Sequence, residues 1–149
     1  MRDRDVRNAI VTALEATGAF NGVYLGSLND ISDQSADDDR AAAIEPISWQ
    51  ESDAWDDVAT GEIQIDAQCR LTFIARDESF QVRDDSAEQL LSTACDALNG
   101  QSLAGLTLPP WTKVTSARWK PAVPPERQIV ATFSYRYLVD TFASFDESE

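Results

Sequence analysis

One segment of the chain, Gly61–Arg76, alternates apolar and polar residues over nearly its whole length. One parity, beginning at Ile63, is apolar and the other, beginning at Glu62, is polar, with Ile74 as the exception. Because successive side chains of a strand point to opposite faces, this period predicts a long strand with one buried and one solvated face. Such a strand belongs to an antiparallel sheet rather than to a parallel sheet buried on both sides.

Two other segments carry apolar residues at helical spacing and predict helices over Asp3–Thr17 and Asp84–Leu98. Gly18 and Asn99-Gly100 follow them as terminators. Further strands are predicted over Val23–Leu28, Ala41–Ser48, Thr112–Lys120 and Arg127–Phe142. This order predicts an α+β fold, with an antiparallel sheet of about four to five strands and two helices packed on one face.

Matching parities and helical stripes also predict which side chains form the core between sheet and helices. Eight residues are expected there: Ile63, Ile65, Leu71, Phe73, Leu91, Cys95, Phe133 and Tyr135. The two cysteines, Cys69 and Cys95, lie on apolar faces and are expected to be buried free thiols.

The 149 residues are enough for a single α+β domain, expected over residues 1–142. Two acidic stretches, Asn29–Arg40 and Trp49–Thr60, are predicted loops of an acidic insertion at about residues 29–61. Residues 143–149 are expected to form a flexible acidic tail. No signal-peptide core or apolar span is evident, so a cytoplasmic protein, or a particle assembled there, is expected.

The charge is strongly unbalanced, with 26 acidic against 12 basic residues and a net charge of −14. Phosphate binding needs a basic patch, so this composition argues against a protein that holds nucleic acid. The acidity can instead serve to repel DNA, to suit high salt, or simply to keep the protein in solution.

No catalytic signature accompanies this charge. The chain has no histidine, and it contains no nucleophile elbow, phosphate loop or dinucleotide fingerprint. Adjacent carboxylates can serve glycosidase or divalent-cation chemistry, but in an aspartate-rich chain they are usually solvated charge. We therefore expect no enzyme, no catalytic residue, no cofactor and no metal site.

Interaction residues are the remaining candidates. Tryptophan buries a large area at interfaces with few lost rotamers, and the two tryptophans of the acidic stretches lie among charged neighbours, where core packing and partner contact are both possible. For Trp111 and Trp119, near the last hairpin, ordinary core packing is the stronger expectation. The candidate interface consists of Asp37, Asp38, Asp39, Trp49, Trp55, Asp56 and Asp57.

Four stretches give the chain a resemblance to the tail-terminator, or tail-completion, proteins of long-tailed bacteriophages and phage-like particles. They are the amphipathic helix VRNAIVTALEATGAF with the short strand GVYLGSL, the long strand IQIDAQCRLTFIARDE, the helix and loop AEQLLSTACDALNGQSLAG, and the hairpin from TKVTSARW to RQIVATFSYRYLV. The acidic segment Asn29–Thr60 departs from a typical member.

This resemblance implies a structural virion protein, a hexameric ring that caps the tail tube and joins it to the neck. Its implied partners are further copies of itself, the tail tube protein and the head-tail connector. Duplex DNA would pass through the ring without binding, and the protein would be located in the virion. The alternative is an acidic monomeric module, a DNA mimic or immunity-type protein, that neutralises a basic partner.

Overall fold

The computed structural model describes residues 3–27, 38–57 and 62–139, with the side chains of these ranges apart from those of residues 52–57 and 62. Two helices and five strands follow one another in the order helix, three strands, helix, two strands. Their bounds are α1 (Asp3–Ala16), β1 (Gly22–Leu25), β2 (Arg40–Asp57), β3 (Glu62–Arg76), α2 (Phe80–Leu98), β4 (Lys113–Trp119) and β5 (Glu126–Val139). Two 3-10 turns, Leu103–Gly105 and Pro109–Trp111, connect α2 to β4.

The five strands form one sheet in the order β1-β2-β3-β5-β4. The long strand β3 lies at its centre and pairs antiparallel with both β2 and β5. The predicted α+β fold, with a mainly antiparallel sheet of five strands, is thus confirmed, and β1 departs from it because it pairs parallel with β2. A parallel pair needs a long connection, and the segment between Leu25 and Arg40 is long enough to return the chain to the starting end.

The strand β2 is much longer than the predicted Ala41–Ser48. Residues 49–57, predicted as part of an acidic loop, belong to β2, and pairing with β3 resumes at Asp56 and Asp57 after a shift of register that follows Glu51. Ladder hydrogen bonds come from the backbone, so a long partner edge can hold a polar, acidic strand that no apolar alternation marks. The register of β2 shifts between Pro46 and Ser48, a bulge that suits a proline because it has no amide hydrogen to donate to the ladder.

The core lies between one face of the sheet and the two helices. Ile65, Leu71, Phe73, Phe133 and Tyr135 are fully buried there, as predicted. Ile63 and Leu91 are half-buried and pack against this core. Cys95 is also only half-buried, because the buried stripe of α2 runs through Ala87, Leu90, Ala94 and Leu98, and Cys95 lies one residue beyond it.

The second helix begins at Phe80, one turn earlier than predicted. Ser79 has an extended backbone and its hydroxyl accepts a hydrogen bond from the Val82 amide at 3.5 Å, which defines the N-cap. The sequence prediction missed this turn because Phe80 and Val82 are exposed and do not belong to the apolar stripe.

Candidate interaction surfaces

The predicted interface residues near β1 have defined positions. The Tyr24 hydroxyl donates a hydrogen bond to the Asp38 carboxylate at 2.5 Å. The Asp38 carbonyl accepts one from Arg76 Nη1 at 2.7 Å, and the Asp39 carbonyl accepts one from the Arg76 amide at 2.8 Å. These contacts tie the start of β2 to the end of β3. Asp37 lies outside the described residues.

The other predicted residues lie further along β2. Trp49 is 40% exposed and stands opposite Ala67 of β3. Trp55, Asp56 and Asp57 belong to the strand, but their side chains lie outside the described part of the structure. A strand rises about 3.3 Å per residue, so about 30 Å separates Asp39 from Trp49. Among the described side chains of the predicted set, Trp49 therefore lies far along β2 from Asp38 and Asp39.

Trp111 and Trp119, expected in the core, are instead 42% and 39% exposed. Each lies against a guanidinium group. The Arg136 Cζ atom is 4.9 Å from the Trp111 ring centroid, and the Arg127 Cζ atom is 4.3 Å from that of Trp119. Such cation–π contacts keep the rings at the surface, where the charged partner stays partly solvated.

The sequence reasoning missed a basic surface on the face of the sheet that turns away from the two helices. The register of β3, β4 and β5 places four exposed or half-buried basic side chains on this face, and Lys120, directly after β4, adds a fifth; Arg76, at the end of β3, is paired with Glu126. We call it the basic sheet face, defined by Arg70, Lys113, Arg118, Lys120 and Arg136.

Two open grooves cross the basic sheet face. One, of about 450 Å³, is lined by Trp111, Lys113 and Arg136 together with polar residues of β2 and β3. The other, of about 350 Å³, is lined by Arg70, Arg118 and Lys120 together with Glu45 and several neutral side chains. The face therefore offers shallow recesses with cationic walls rather than an enclosed pocket.

Two carboxylates balance part of this charge. Glu45 Oε1 lies 2.5 Å from Arg70 Nη1, and Asp66 Oδ1 lies 2.6 Å from Arg136 Nε. Within the described part of the chain, Lys113, Arg118 and Lys120 form no ion pair, and all three are exposed. The basic sheet face thus has a net positive charge among described residues, although the chain as a whole has a charge of −14.

The opposite side of the molecule is acidic. The segment from Asp77 to Leu98 contains six acidic residues and a single basic one, Arg83. The Arg83 guanidinium is directed to the backbone carbonyls of Asp77 and Glu78 at 3.3 and 3.4 Å. We call this side the acidic helix face, defined by the exposed carboxylates of α2, Asp85, Glu88 and Asp96.

A buried polar cluster links α1 to β5. The Asp3 carboxylate is 3% exposed and accepts hydrogen bonds from the Tyr135 hydroxyl at 2.6 Å and the Tyr137 hydroxyl at 3.3 Å. Arg7, one turn along α1, forms an ion pair with it. Burial raises the pKa of Asp3, and the Tyr135 and Arg7 contacts oppose that rise. The cluster is closed to solvent, so it supports the fold and offers no access to a substrate.

The described residues hold no cluster of three or more side chains suited to a metal ion. None of the helices in the described ranges is long and apolar enough to cross a membrane.

The chain is similar to known proteins in fold. No protein-family model matches it, and no curated protein matches it either. Among solved structures, it is similar to a chain described as "Virion of native gene transfer agent (GTA) particle", with a TM-score of 0.56 and 16% sequence identity. The match covers 89% of this chain and 94% of that one. At this identity the likeness is one of fold.

Proposed function

We propose that this protein is a structural virion component, a tail-terminator or neck protein that forms a ring of six copies. The observation that carries the proposal is the whole-length likeness of fold to a chain from a gene transfer agent virion. The order of helices and strands agrees with it, because the same order underlies the sequence resemblance to tail-terminator proteins. In this role the ring caps the tail tube and joins it to the head connector.

A role in assembly also agrees with the chemistry of the described residues. Polar groups among them serve packing, as Asp3 does with Tyr135, or pair across the sheet surface, as Arg70 does with Glu45. A ring through which DNA passes should not retain it. In six copies, channel-facing carboxylates would be repeated six times and would disfavour adhesion of the duplex.

Localisation in purified particles tests the proposal. Particles carrying a tagged copy of this protein should show the tag at the junction of head and tail by cryo-electron microscopy, at several copies per particle. Particles lacking the gene should have tails that are unjoined or of irregular length. Absence of the protein from purified particles, or a single copy per particle, would reject the ring.

The acidic residues of the predicted interface are tested separately. Replacement of Asp37, Asp38, Asp39, Asp56 and Asp57 by asparagine should preserve the fold but change DNA passage or docking of a neighbour. Normal assembly and infectivity of such particles would mean that these residues serve solubility alone.

The second candidate is an acidic monomeric module that neutralises a basic partner. The acidic helix face favours it, because a row of carboxylates on one helix can match a basic protein surface. Light scattering of the purified protein separates the two candidates, since a single chain has a mass of 16.4 kDa and a ring a multiple of it. Particle localisation decides between them if assembly requires the tail.

A further inference from the structure

The two charged faces of this molecule point in opposite directions. The acidic helix face lies on α2, which packs against one side of the sheet, and the basic sheet face lies on the other side. We propose that the basic sheet face of one copy docks on the acidic helix face of the next copy. This inference rests on the proposed homo-oligomer and assigns the surfaces that join its subunits.

Charge complementarity identifies a second copy as the occupant. Lys113, Arg118 and Lys120 are exposed cations without an ion-pair partner among the described residues. In a chain with a charge of −14, the surface best suited to them is the carboxylate row that every copy carries. A nucleic acid is a poorer occupant, because the net negative charge of the chain repels a polyanion at long range.

The geometry also sets the symmetry of the contact. The two patches lie on opposite sides of one copy, so they cannot both face the same neighbour, and the contact is head-to-tail rather than the reciprocal contact of a two-fold dimer. A repeated head-to-tail contact generates a ring where the rotation closes. Exposed aromatic side chains can add apolar area at both sides, since Trp111 borders the basic sheet face and Phe80, 64% exposed, lies at the start of the acidic helix.

Matched charge reversals test the contact. Arg118→Glu with Lys120→Glu changes the basic sheet face, whereas Arg4→Glu with Arg40→Glu reverses two exposed cations elsewhere and is the control. Sedimentation should show association of the wild type at about 0.01 M ionic strength and its loss at about 1 M, where the Debye length is only about 3 Å. The control variant should associate like the wild type, and the basic-face variant should have the mass of a single chain.

A mixing experiment then identifies the acidic partner. Asp85→Lys with Glu88→Lys should abolish association in the same way. Mixed in equal amounts, the basic-face and acidic-face variants should associate again, because each junction of an alternating assembly then pairs opposite charges. Neither variant alone should do so.

Three results would overturn the inference. The basic-face variant could associate like the wild type, the mixture could stay at the mass of one chain, or the variant could lose only folding stability while association is unchanged. The last result would mean that the basic groups are satisfied within the chain. A ring in the particle that is unaffected by the reversals would reject this contact and leave the proposed function intact, whereas absence from the particle would reject the proposed function.

Discussion

The Tyr135 hydroxyl donates a hydrogen bond to the Asp3 carboxylate at 2.6 Å, although the two residues are 132 positions apart in the sequence. This contact joins the first turn of α1 to the middle of β5 inside the core. Buried polar groups are stabilising only when their hydrogen bonds are complete, so this pair ties the N-terminal helix to one position on the sheet.

The stability of the wild type should depend on pH in a defined direction through Asp3, and Asp3→Asn should remove this dependence. Burial raises the folded-state pKa of Asp3 above the unfolded value, so between the two values the folded chain binds more protons. The wild-type contribution is therefore fully present below about pH 4 and is lost as pH rises through the raised pKa. The free energy of unfolding of the wild type, relative to Asp3→Asn, should fall over this window in urea titrations.

Asp5→Asn, which removes an exposed carboxylate from the same turn of α1, controls for the change in net charge. If the free energies of unfolding of the wild type and Asp3→Asn differ by the same amount at every pH, the assigned burial of Asp3 is contradicted.

Phe73→Ala should be strongly destabilising, by about 3–5 kcal/mol. Phe73 is fully buried on β3 and its ring centroid lies 6.1 Å from that of Phe20, so truncation leaves a cavity. Phe80→Ala, at a position 64% exposed, is the matched control and should change the free energy of unfolding by less than about 0.5 kcal/mol. Equal losses for the two variants in chemical denaturation would reject this face of the sheet as the core.

The two thiols should differ in reactivity. Cys69 is completely buried and burial raises its thiol pKa far above the ordinary value, so it should be labelled only after unfolding. Cys95 is half-buried, and its thiol pKa is raised by burial and by Asp96, so it should be labelled slowly in the folded protein. Mass spectrometry of timed labelling measures both, and rapid native labelling of Cys69 would disprove its position.

Replacing serine by alanine should lower stability at the N-cap of α2 and raise it within the helix. Ser79→Ala removes the N-cap acceptor and should cost about 0.5–1 kcal/mol, at the low end for caps because the hydrogen bond is long. Ser92→Ala, exposed within the helix, should stabilise by a few tenths of a kcal/mol through helix propensity. The unfolding temperatures of the two variants measure these effects. If Ser79→Ala leaves the unfolding temperature unchanged, Ser79 is not the N-cap and the helix begins later.

The apolar period alone was enough to predict the two helices, the central strand β3 and the last strand β5. In these elements the side chains that decide the structure are neighbours in sequence, and the period follows from the geometry of one helix or strand. Ile74, the single break in the β3 pattern, is buried on the second face with Ala41 and Ala43. The apolar residue at this polar position therefore indicates a buried patch on the sheet face that turns away from the helices.

Three features could be read only from the tertiary structure: the extent of β2, the parallel pairing of β1, and the basic sheet face. Backbone hydrogen bonds to β3 extend β2 through residues whose side chains show no strand pattern. The five cations of the basic sheet face come from three strands and from Lys120 directly after β4, and only the register of those strands brings them together. The sequence by itself thus determined the elements and the total charge, because these are local or additive properties. Pairing between distant strands decided where the charge lies and which surfaces a neighbour can contact.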